Sequence, residues 1–374
     1  MLTENKVASE NSSDKPSSIL MQSILQSNKS TRCVHLLVSA GYIVKGSLGL
    51  YNNLVQQSNL SGAKNLAKFA QIWNKLYALS LGFTLLHLIL NKSNFTKFWV
   101  HLQTIKNKSN GFSVSKYLHK WNLINRICVV AAIIYELIII AIEINNHRQK
   151  YSLFKLNQPQ LWYCLTLFIS QSGWVLFFQF MIETAVHLQS AFIIIEDRLE
   201  SLQSLELNYI QSVNDYGFDS LVRSVRSIYI EVINCSRLIN TYLSTAITAF
   251  YLYFVGYCLC IFSNLFDQST DSLLVNIIRL TGGSMYLFWL TYHLVQVNKL
   301  SVKIFDKVYA LSFLPVRSRL SQFINEVDLF IIRIDRHDVG FTFAHLAVIT
   351  PSFVSSLLTI SLTLGLALPS LLKL

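Results

Sequence analysis

An uncharged stretch near the C-terminus, from Ser352 to Leu368, constrains the fold more than any other part of the sequence. It is about as long as the shortest helix that can span a bilayer. Thr350 can cap such a helix, and Pro351 suits its first turn, where a missing N–H costs no hydrogen bond. The stretch therefore predicts a membrane-spanning helix that begins at about residue 350.

Hydroxyl side chains recur along this predicted helix at helical spacing and form one stripe. They are Ser352, Ser355, Ser356, Thr359, Thr363 and Ser370. In lipid, a polar stripe should face protein or water rather than acyl chains. The stripe therefore favours one wall of a shared polar path. The alternative is that these hydroxyls bond their own backbone or join neighbouring helices.

Further apolar runs indicate a helical protein with several membrane spans. Of 374 residues, 52% are hydrophobic and only 14% are charged, whereas a soluble domain carries roughly a quarter charged residues. Seven runs are candidates for spans. They lie at about 33–51, 70–90, 123–144, 161–186, 242–266, 273–297 and 350–368. We therefore expect an all-α membrane protein with seven transmembrane helices.

The positive charges are concentrated in certain loops of a chain whose net charge is +11. The short loop after the second span is the clearest case, with Lys92, Lys97, Lys106, Lys108, Lys116 and Lys120. Cytoplasmic loops are enriched in Lys and Arg. We therefore predict a cytoplasmic N-terminus and, after seven spans, an extracellular C-terminus. The same distribution argues for membrane orientation rather than for nucleic-acid binding.

Segments outside the spans also show helical patterns. The ranges 196–207 and 221–240 are typical of amphipathic helices, so we expect spans four and five to continue into the cytoplasm and pack there. A third such pattern covers 318–336 and is a candidate for subunit contacts or for lying on the membrane surface. We expect a half-helix over 341–349, directly before the last span.

Three features of the last segment, together with the layout of the whole chain, carry a family resemblance. The features are the run Phe341-Thr342-Phe343-Ala344, the turn Thr350-Pro351-Ser352 and the apolar helix that ends in Thr363. They resemble the C-terminus of insect gustatory receptors, which closes with Thr-Tyr, five apolar residues and Gln-Phe. In that register this chain reads Thr363-Leu364, then Gly365 to Pro369, then Ser370-Leu371, so only the Thr is kept.

The resemblance implies a tetrameric, ligand-gated cation channel in the plasma membrane of chemosensory neurons, opened by a small-molecule tastant. It implies that the last helix lines the pore and that the cytoplasmic helices form an anchor. The candidate pore-lining residues are then Ser352, Ser355, Ser356, Thr359, Thr363 and Leu368. Leu368 would lie near the exit, where a ring of leucines can gate by dewetting.

On this basis the chain divides into four parts. They are a tail at 1–31 that we expect to be disordered, a ligand-binding bundle of spans one to six at 32–297, a cytoplasmic anchor at 298–340, and the last helix at 341–374. The tail assignment rests on its Ser- and Asn-rich composition. The expected partners are a tastant, membrane lipid and related receptors in a homo- or hetero-tetramer.

With this topology, aromatic and polar residues in the outer halves of the spans are candidates for a ligand site. They are Trp73, Tyr77, Tyr135, Glu136, Gln171, Trp174, Tyr253, Tyr257, Arg279 and Tyr286. Aromatic walls with few polar groups suit a small organic ligand. The alternative is that the Tyr and Trp residues form an interfacial belt or ordinary packing.

Among these residues, Glu136 is the most informative, because ionisable groups at membrane depth are costly and usually face a cavity or a partner. It lies roughly 12 Å below the outer end of its predicted span at ~1.5 Å rise per residue. We expect its partner to be Arg279 or a water in the pocket. Glu143, seven residues on, is closer to the membrane surface.

No catalytic motif stands out, and the sequence predicts no enzyme, no cofactor and no metal site. There is no Gly-rich phosphate loop, no His-x-x-x-His pair and no Gly-x-Ser-x-Gly elbow. Two alternatives to a channel remain open. One is a small-solute transporter, although the sequence shows no internal repeat. The other is a non-conducting accessory subunit of a chemoreceptor complex.

Overall fold

The structure is a computed structural model. It describes residues 16, 18–26, 28–56, 65–108, 112–151, 158–209, 215–267, 273–313, 326–334 and 339–371. Within these ranges the chain forms helices and one short hairpin. The elements are α1 (Ile19–Leu25), α2 (Lys29–Gln56), α3 (Asn65–Leu90), α4 (Lys92–Asn107), α5 (Phe112–Tyr151), α6 (Gln158–Tyr209), α7 (Asp215–Asp267), α8 (Leu273–Leu311), α9 (Glu326–Ile334), β1 (Thr342–Phe343), β2 (Ala347–Val348) and α10 (Pro351–Leu371).

The predicted all-α membrane fold is confirmed, and each predicted span coincides with a helix. Among the described residues, four helical segments are long and apolar enough to cross a membrane: Lys29–Asn52, Ser113–Ile142, Ser172–Ser204 and Ser220–Leu259. Ala78–Leu90 and Pro351–Ala367 are shorter apolar helices. These segments indicate a multi-pass membrane protein. The count of seven spans and the orientation of the termini stay predictions.

Helices α6 and α7 are far longer than the predicted spans four and five, and that their extensions lie in the cytoplasm stays a prediction. Helix α6 has 52 residues and α7 has 53, which gives each a length of roughly 80 Å, whereas the hydrocarbon core is about 30 Å thick. Helix α6 is central, because α1, α4, α5, α7 and α8 all pack on it. Every residue from Phe177 to Phe192 in its middle is buried.

Helices α2 and α3 pack closely through small residues. A Cβ at Gly46 would lie 2.7 Å from the backbone nitrogen of Leu79, and one at Gly82 would lie 2.9 Å from that of Ile43. Glycine at these positions therefore lets the two backbones approach. At Gly41, in contrast, an added Cβ would meet no atom within 4 Å.

The expectation of a disordered tail at 1–31 is wrong for its last part. Residues 19–25 form α1, capped by the Ser18 hydroxyl, which accepts a hydrogen bond from the Met21 N–H. Met21 and Ile24 are buried. The backbone N–H of Ser18 donates to the Glu183 carboxylate on α6 over 2.7 Å. Apolar burial and this charged hydrogen bond fix a segment whose composition suggested disorder.

The lysine-rich second loop contains α4, which the sequence reading missed. Phe95, Phe98 and Leu102 are fully buried on its inner face. Lys106 is buried as well, and its ammonium lies 3.1 Å from Nδ1 of His187 on α6. Lys106, one of the positive charges of this loop, is therefore also a packing residue.

The half-helix expected at 341–349 is wrong, because this segment forms a hairpin. Strands β1 and β2 pair antiparallel, and the turn holds Ala344 and His345 at φ values of 52° and 60°. Helix α9 begins at Glu326 and ends at Ile334, within the predicted pattern at 318–336. The rest of that pattern lies outside the described residues.

Candidate ligand-binding site

A cavity lies between α5, α6, α7 and α8, within the apolar part of the bundle. It is lined by Tyr135, Glu136, Ile139, Trp174, Phe178, Phe250, Tyr253, Phe254, Tyr257, Gly283 and Tyr286. Its volume is about 40 Å³, which admits a few waters or a very small molecule. A larger organic ligand therefore requires that wall side chains rotate.

The wall is an array of aromatic rings in contact. Trp174 of α6 stacks on Tyr253 of α7 with ring centroids 5.5 Å apart, and Tyr253 stacks on Tyr257 at 5.9 Å. On the other side, Tyr286 of α8 meets Phe178 edge to face at 5.0 Å. Such rings suit a planar or apolar ligand, because a ligand of this kind loses few hydrogen bonds to water when it enters.

Glu136 supplies the carboxylate of this cavity. The Tyr286 hydroxyl donates a hydrogen bond to Glu136 Oε1 over 3.1 Å. The sequence predicts Arg279 or a water as the partner of Glu136, whereas the structure shows the Tyr286 hydroxyl in that place. This carboxylate and phenol, beside the other tyrosines of the wall, can orient a polar group of a bound molecule.

Two adjacent glycines let α8 approach its neighbours at this level. A Cβ at Gly282 would overlap the ring of Tyr135, and a Cβ at Gly283 would lie 3.1 Å from the ring of Tyr257. The Tyr135 hydroxyl donates to the backbone carbonyl of Arg279 over 3.4 Å, one turn away. The glycines therefore create the space that the two tyrosine rings occupy.

Six of the ten residues predicted for the ligand site line this one cavity. They are Tyr135, Glu136, Trp174, Tyr253, Tyr257 and Tyr286. Arg279 lies beside the cavity without lining it. The side chains of the other three, Trp73, Tyr77 and Gln171, lie outside the described part of the structure, as does that of Glu143. That the six residues bind a ligand stays a prediction.

The sequence reading missed five wall residues, namely Ile139, Phe178, Phe250, Phe254 and Gly283. Most lie one helical turn from a predicted residue on the same helix. Phe178 follows Trp174 by four residues, and Gly283 precedes Tyr286 by three. Extending each predicted position by one turn in both directions would have found them.

The hydroxyl stripe of α10 faces away from the rest of the chain. Ser352, Ser355, Ser356, Thr359 and Thr363 are exposed, and the side chain of Leu368 lies outside the described residues. The opposite face, with Phe353, Val354 and Leu357, packs on the core. The hydroxyls of Thr359 and Thr363 donate to the carbonyls four residues earlier. In the single chain the stripe is therefore available to water or to other subunits.

Helix α7 connects the cavity to α10. It carries Phe250, Tyr253, Phe254 and Tyr257 of the wall, and α10 packs on it. Two turns earlier, it also holds the hairpin that precedes α10. Asn240 Oδ1 accepts from the Thr342 N–H over 2.8 Å, and the Ser244 hydroxyl accepts from the His345 N–H over 3.0 Å.

Solved structures show the same fold. The insect olfactory receptor OR5 from Machilis hrabei aligns with a TM-score of 0.60 at 12% identity, covering 91% of this chain and 88% of the receptor. Its complex with eugenol aligns with a TM-score of 0.62 at 14% identity, covering 92% and 89%. No protein-family model and no curated protein matches the sequence. The likeness shows that the chain has the fold of this olfactory receptor.

Proposed function

We propose that this chain is a chemoreceptor subunit that forms a ligand-gated cation channel, with a small-molecule tastant as the ligand. The observation that carries the proposal is the aromatic cavity with its single carboxylate, Glu136, inside the fold of an insect olfactory receptor. That receptor has been solved with the small organic molecule eugenol. The gustatory assignment rests on the sequence resemblance of the C-terminal segment.

In this proposal, the ligand enters between the rings of α6, α7 and α8, and a polar group of the ligand forms a hydrogen bond with Glu136 or Tyr286. The cavity of about 40 Å³ has to expand to admit it, so binding displaces wall side chains of α7. A ligand shifts a conformational equilibrium only through its differential affinity for the two states. The ligand would bind more tightly to the state in which α7 has shifted. A shift of α7 would also move α10 and the hairpin, because both pack on it.

The conducting path would lie along the hydroxyl stripe of α10. In a tetramer of this chain, alone or with related receptors, Ser355, Thr359 and Thr363 would lie around one axis. Hydroxyls along a pore can exchange hydrogen bonds with water and coordinate cations through their oxygens. The packed face of α10 is on the opposite side, against α7, so the two roles do not compete for the same side chains.

Current recording tests the proposal. The chain is expressed in cells without other chemoreceptors, alone and together with a related receptor, and is exposed to a panel of sugars and small bitter compounds. Ligand-evoked cation current through the chain alone supports a channel. Current only in the co-expression, unchanged by mutations in α10 of this chain, supports an accessory subunit. Ligand uptake without current supports a transporter.

A further inference from the structure

A second site is visible where α2 begins, α3 ends and α4 starts. It is a groove of about 530 Å³ that shares no lining residue with the aromatic cavity. Four basic side chains line it: Arg32, Lys92, Lys97 and His101. The other lining residues are Ile89, Leu90, Ser93, Thr96 and Val100, so none of the described lining residues is acidic.

The fold of α4 places these charges on one surface. Its inner face, with Phe95 and Phe98, is fully buried against the bundle. Lys97, Val100 and His101 are exposed on its outer face and so line the groove. The amphipathic packing of α4 therefore directs Lys97 and His101 toward the groove.

The electrostatics of the groove favour an anion. Burial, together with the nearby Arg32 guanidinium, lowers the pKa of Lys92, as expected where positive charges are close together. The groove also lies at the N-terminus of α4. There Asn91 makes no side-chain cap, and its amide Nδ2 donates instead to the His87 carbonyl over 3.1 Å. The negative end of α3, which ends at Leu90, offsets the positive end of α4, which begins at Lys92, so the positive potential comes from the basic side chains.

The groove also borders apolar surface at the end of two membrane helices. The apolar helix Ala78–Leu90 ends there, and the candidate span Lys29–Asn52 begins there. Leu90 is 61% exposed and Val100 is 57% exposed. Basic residues next to exposed apolar residues at the end of a span match an amphiphile better than a free anion.

We propose that this groove binds the headgroup of an anionic, phosphate-bearing lipid in the membrane leaflet on the side of α4. Arg32 and Lys97 contact the phosphate, and the acyl chains run along Leu90 and the adjoining helices. The guanidinium of Arg32 can hold two phosphate oxygens at once, whereas lysine acts as a point charge. This inference rests on the membrane fold and not on the proposed ligand-gated channel.

Native mass spectrometry of the full chain in neutral detergent tests the proposal. The probes are phosphatidylinositol phosphate and, as the uncharged comparison, phosphatidylcholine. The double variant Lys92→Gln/Lys97→Gln removes two groove charges. The control Lys116→Gln/Lys120→Gln removes two exposed charges from α5 that do not line the groove. At about five-fold per basic residue, the groove variant should bind the anionic lipid roughly 25-fold more weakly.

The control variant should bind like the wild type, and phosphatidylcholine should bind all three proteins weakly and equally. Equal losses in both double variants would overturn the site, because they would show a diffuse charge effect. A soluble inositol phosphate serves as a further arm. If it binds as tightly as the lipid, the lipid assignment is wrong. Melting temperatures of the three proteins are compared in parallel. Arg32→Gln, a single change on α2, should weaken binding of the anionic lipid about five-fold.

Discussion

At the scale of single residues, the hydrogen bond between Tyr286 and Glu136 is the most specific feature of the cavity. Tyr286→Phe removes the donor and keeps the ring. The bond joins two protein groups and acts on the ligand only by orienting the Glu136 carboxylate, so we expect the concentration for half-maximal response to rise by up to roughly ten-fold. Glu136→Gln should also change it while surface expression holds. Calcium imaging of ligand dose–response curves measures both.

The control for these variants is Tyr309→Phe, on the same helix but outside the cavity, where the ring stacks on Phe305 at 6.0 Å. It should leave the response unchanged. If Tyr286→Phe and Glu136→Gln also leave response and expression unchanged, the pair does not belong to a ligand site. If both only lower expression, the pair is a buried structural contact.

Gly282 gives a prediction about packing. Gly282→Ala should displace the Tyr135 ring and destabilise the protein by about 1–3 kcal/mol, more than alanine gains in helix propensity. Gly41→Ala is the matched control, because a Cβ there meets no atom within 4 Å. It should be neutral or slightly stabilising. Melting temperatures in detergent measure both, and equal shifts would show that Gly282 does not hold the cavity wall.

At the scale of elements, an ion-pair network joins the extensions of α6 and α8. Lys307 contacts Glu196 at 2.7 Å and also Glu200, and Lys303 contacts Glu196 at 2.5 Å. Burial lowers the pKa of Lys307, but its hydrogen bonds to Glu196 and Glu200 outweigh this and raise it. The charged form of Lys307 is therefore favoured, and the pair holds the two helices together.

A double-mutant cycle measures this pair. Glu196→Gln and Lys307→Met should each destabilise the protein, and the two together should cost less than their sum by about 1–3 kcal/mol, because removing one partner leaves the other poorly solvated. The surface pair Lys108–Glu231, with side chains 49% and 35% exposed, is the comparison. Its coupling should be at most about 1 kcal/mol. Equal couplings would contradict the role of burial.

The elements also show what sequence reasoning can reach. The aromatic wall was predictable, because antiparallel spans bring their outer halves to one level and helical periodicity selects the inward face. The hairpin at 342–348 was not, because polar groups of another helix, Asn240 and Ser244, hold it. Helix α4 was missed because its lysines were weighed only as loop charges. Its buried Phe95 and Phe98 were the available signal.

At the scale of the whole molecule, the orientation predicted from the loop charges can be tested by glycosylation. The sequons at Asn94 and Asn107 lie in the lysine-rich second loop, and Asn59 lies in the first loop, outside the described residues. Only sequons on the extracytoplasmic side are modified. Asn94 and Asn107 should stay bare, whereas Asn59 is on the side that can carry sugar. A mobility shift abolished by Asn94→Gln or Asn107→Gln would reverse the orientation.

The central claim is that ligand opens a path along the hydroxyl stripe of α10. Single cysteines at Thr359, Thr363 and Leu364 are compared in a Cys33→Ser background, because Cys33 is exposed. Leu364 is 46% exposed in the single chain and lies on the far side of α10 from the stripe, so exposure alone does not separate it from the threonines. A water-soluble, charged thiol reagent is applied during current recording with ligand present.

We predict that Thr359→Cys and Thr363→Cys react quickly, and faster with ligand than without, and that the reaction blocks the current. Leu364→Cys should react slowly or leave the current unchanged. Current that persists after full modification of Thr359→Cys and Thr363→Cys, or block that is strongest for Leu364→Cys, would contradict the account, because the path would then not follow the stripe.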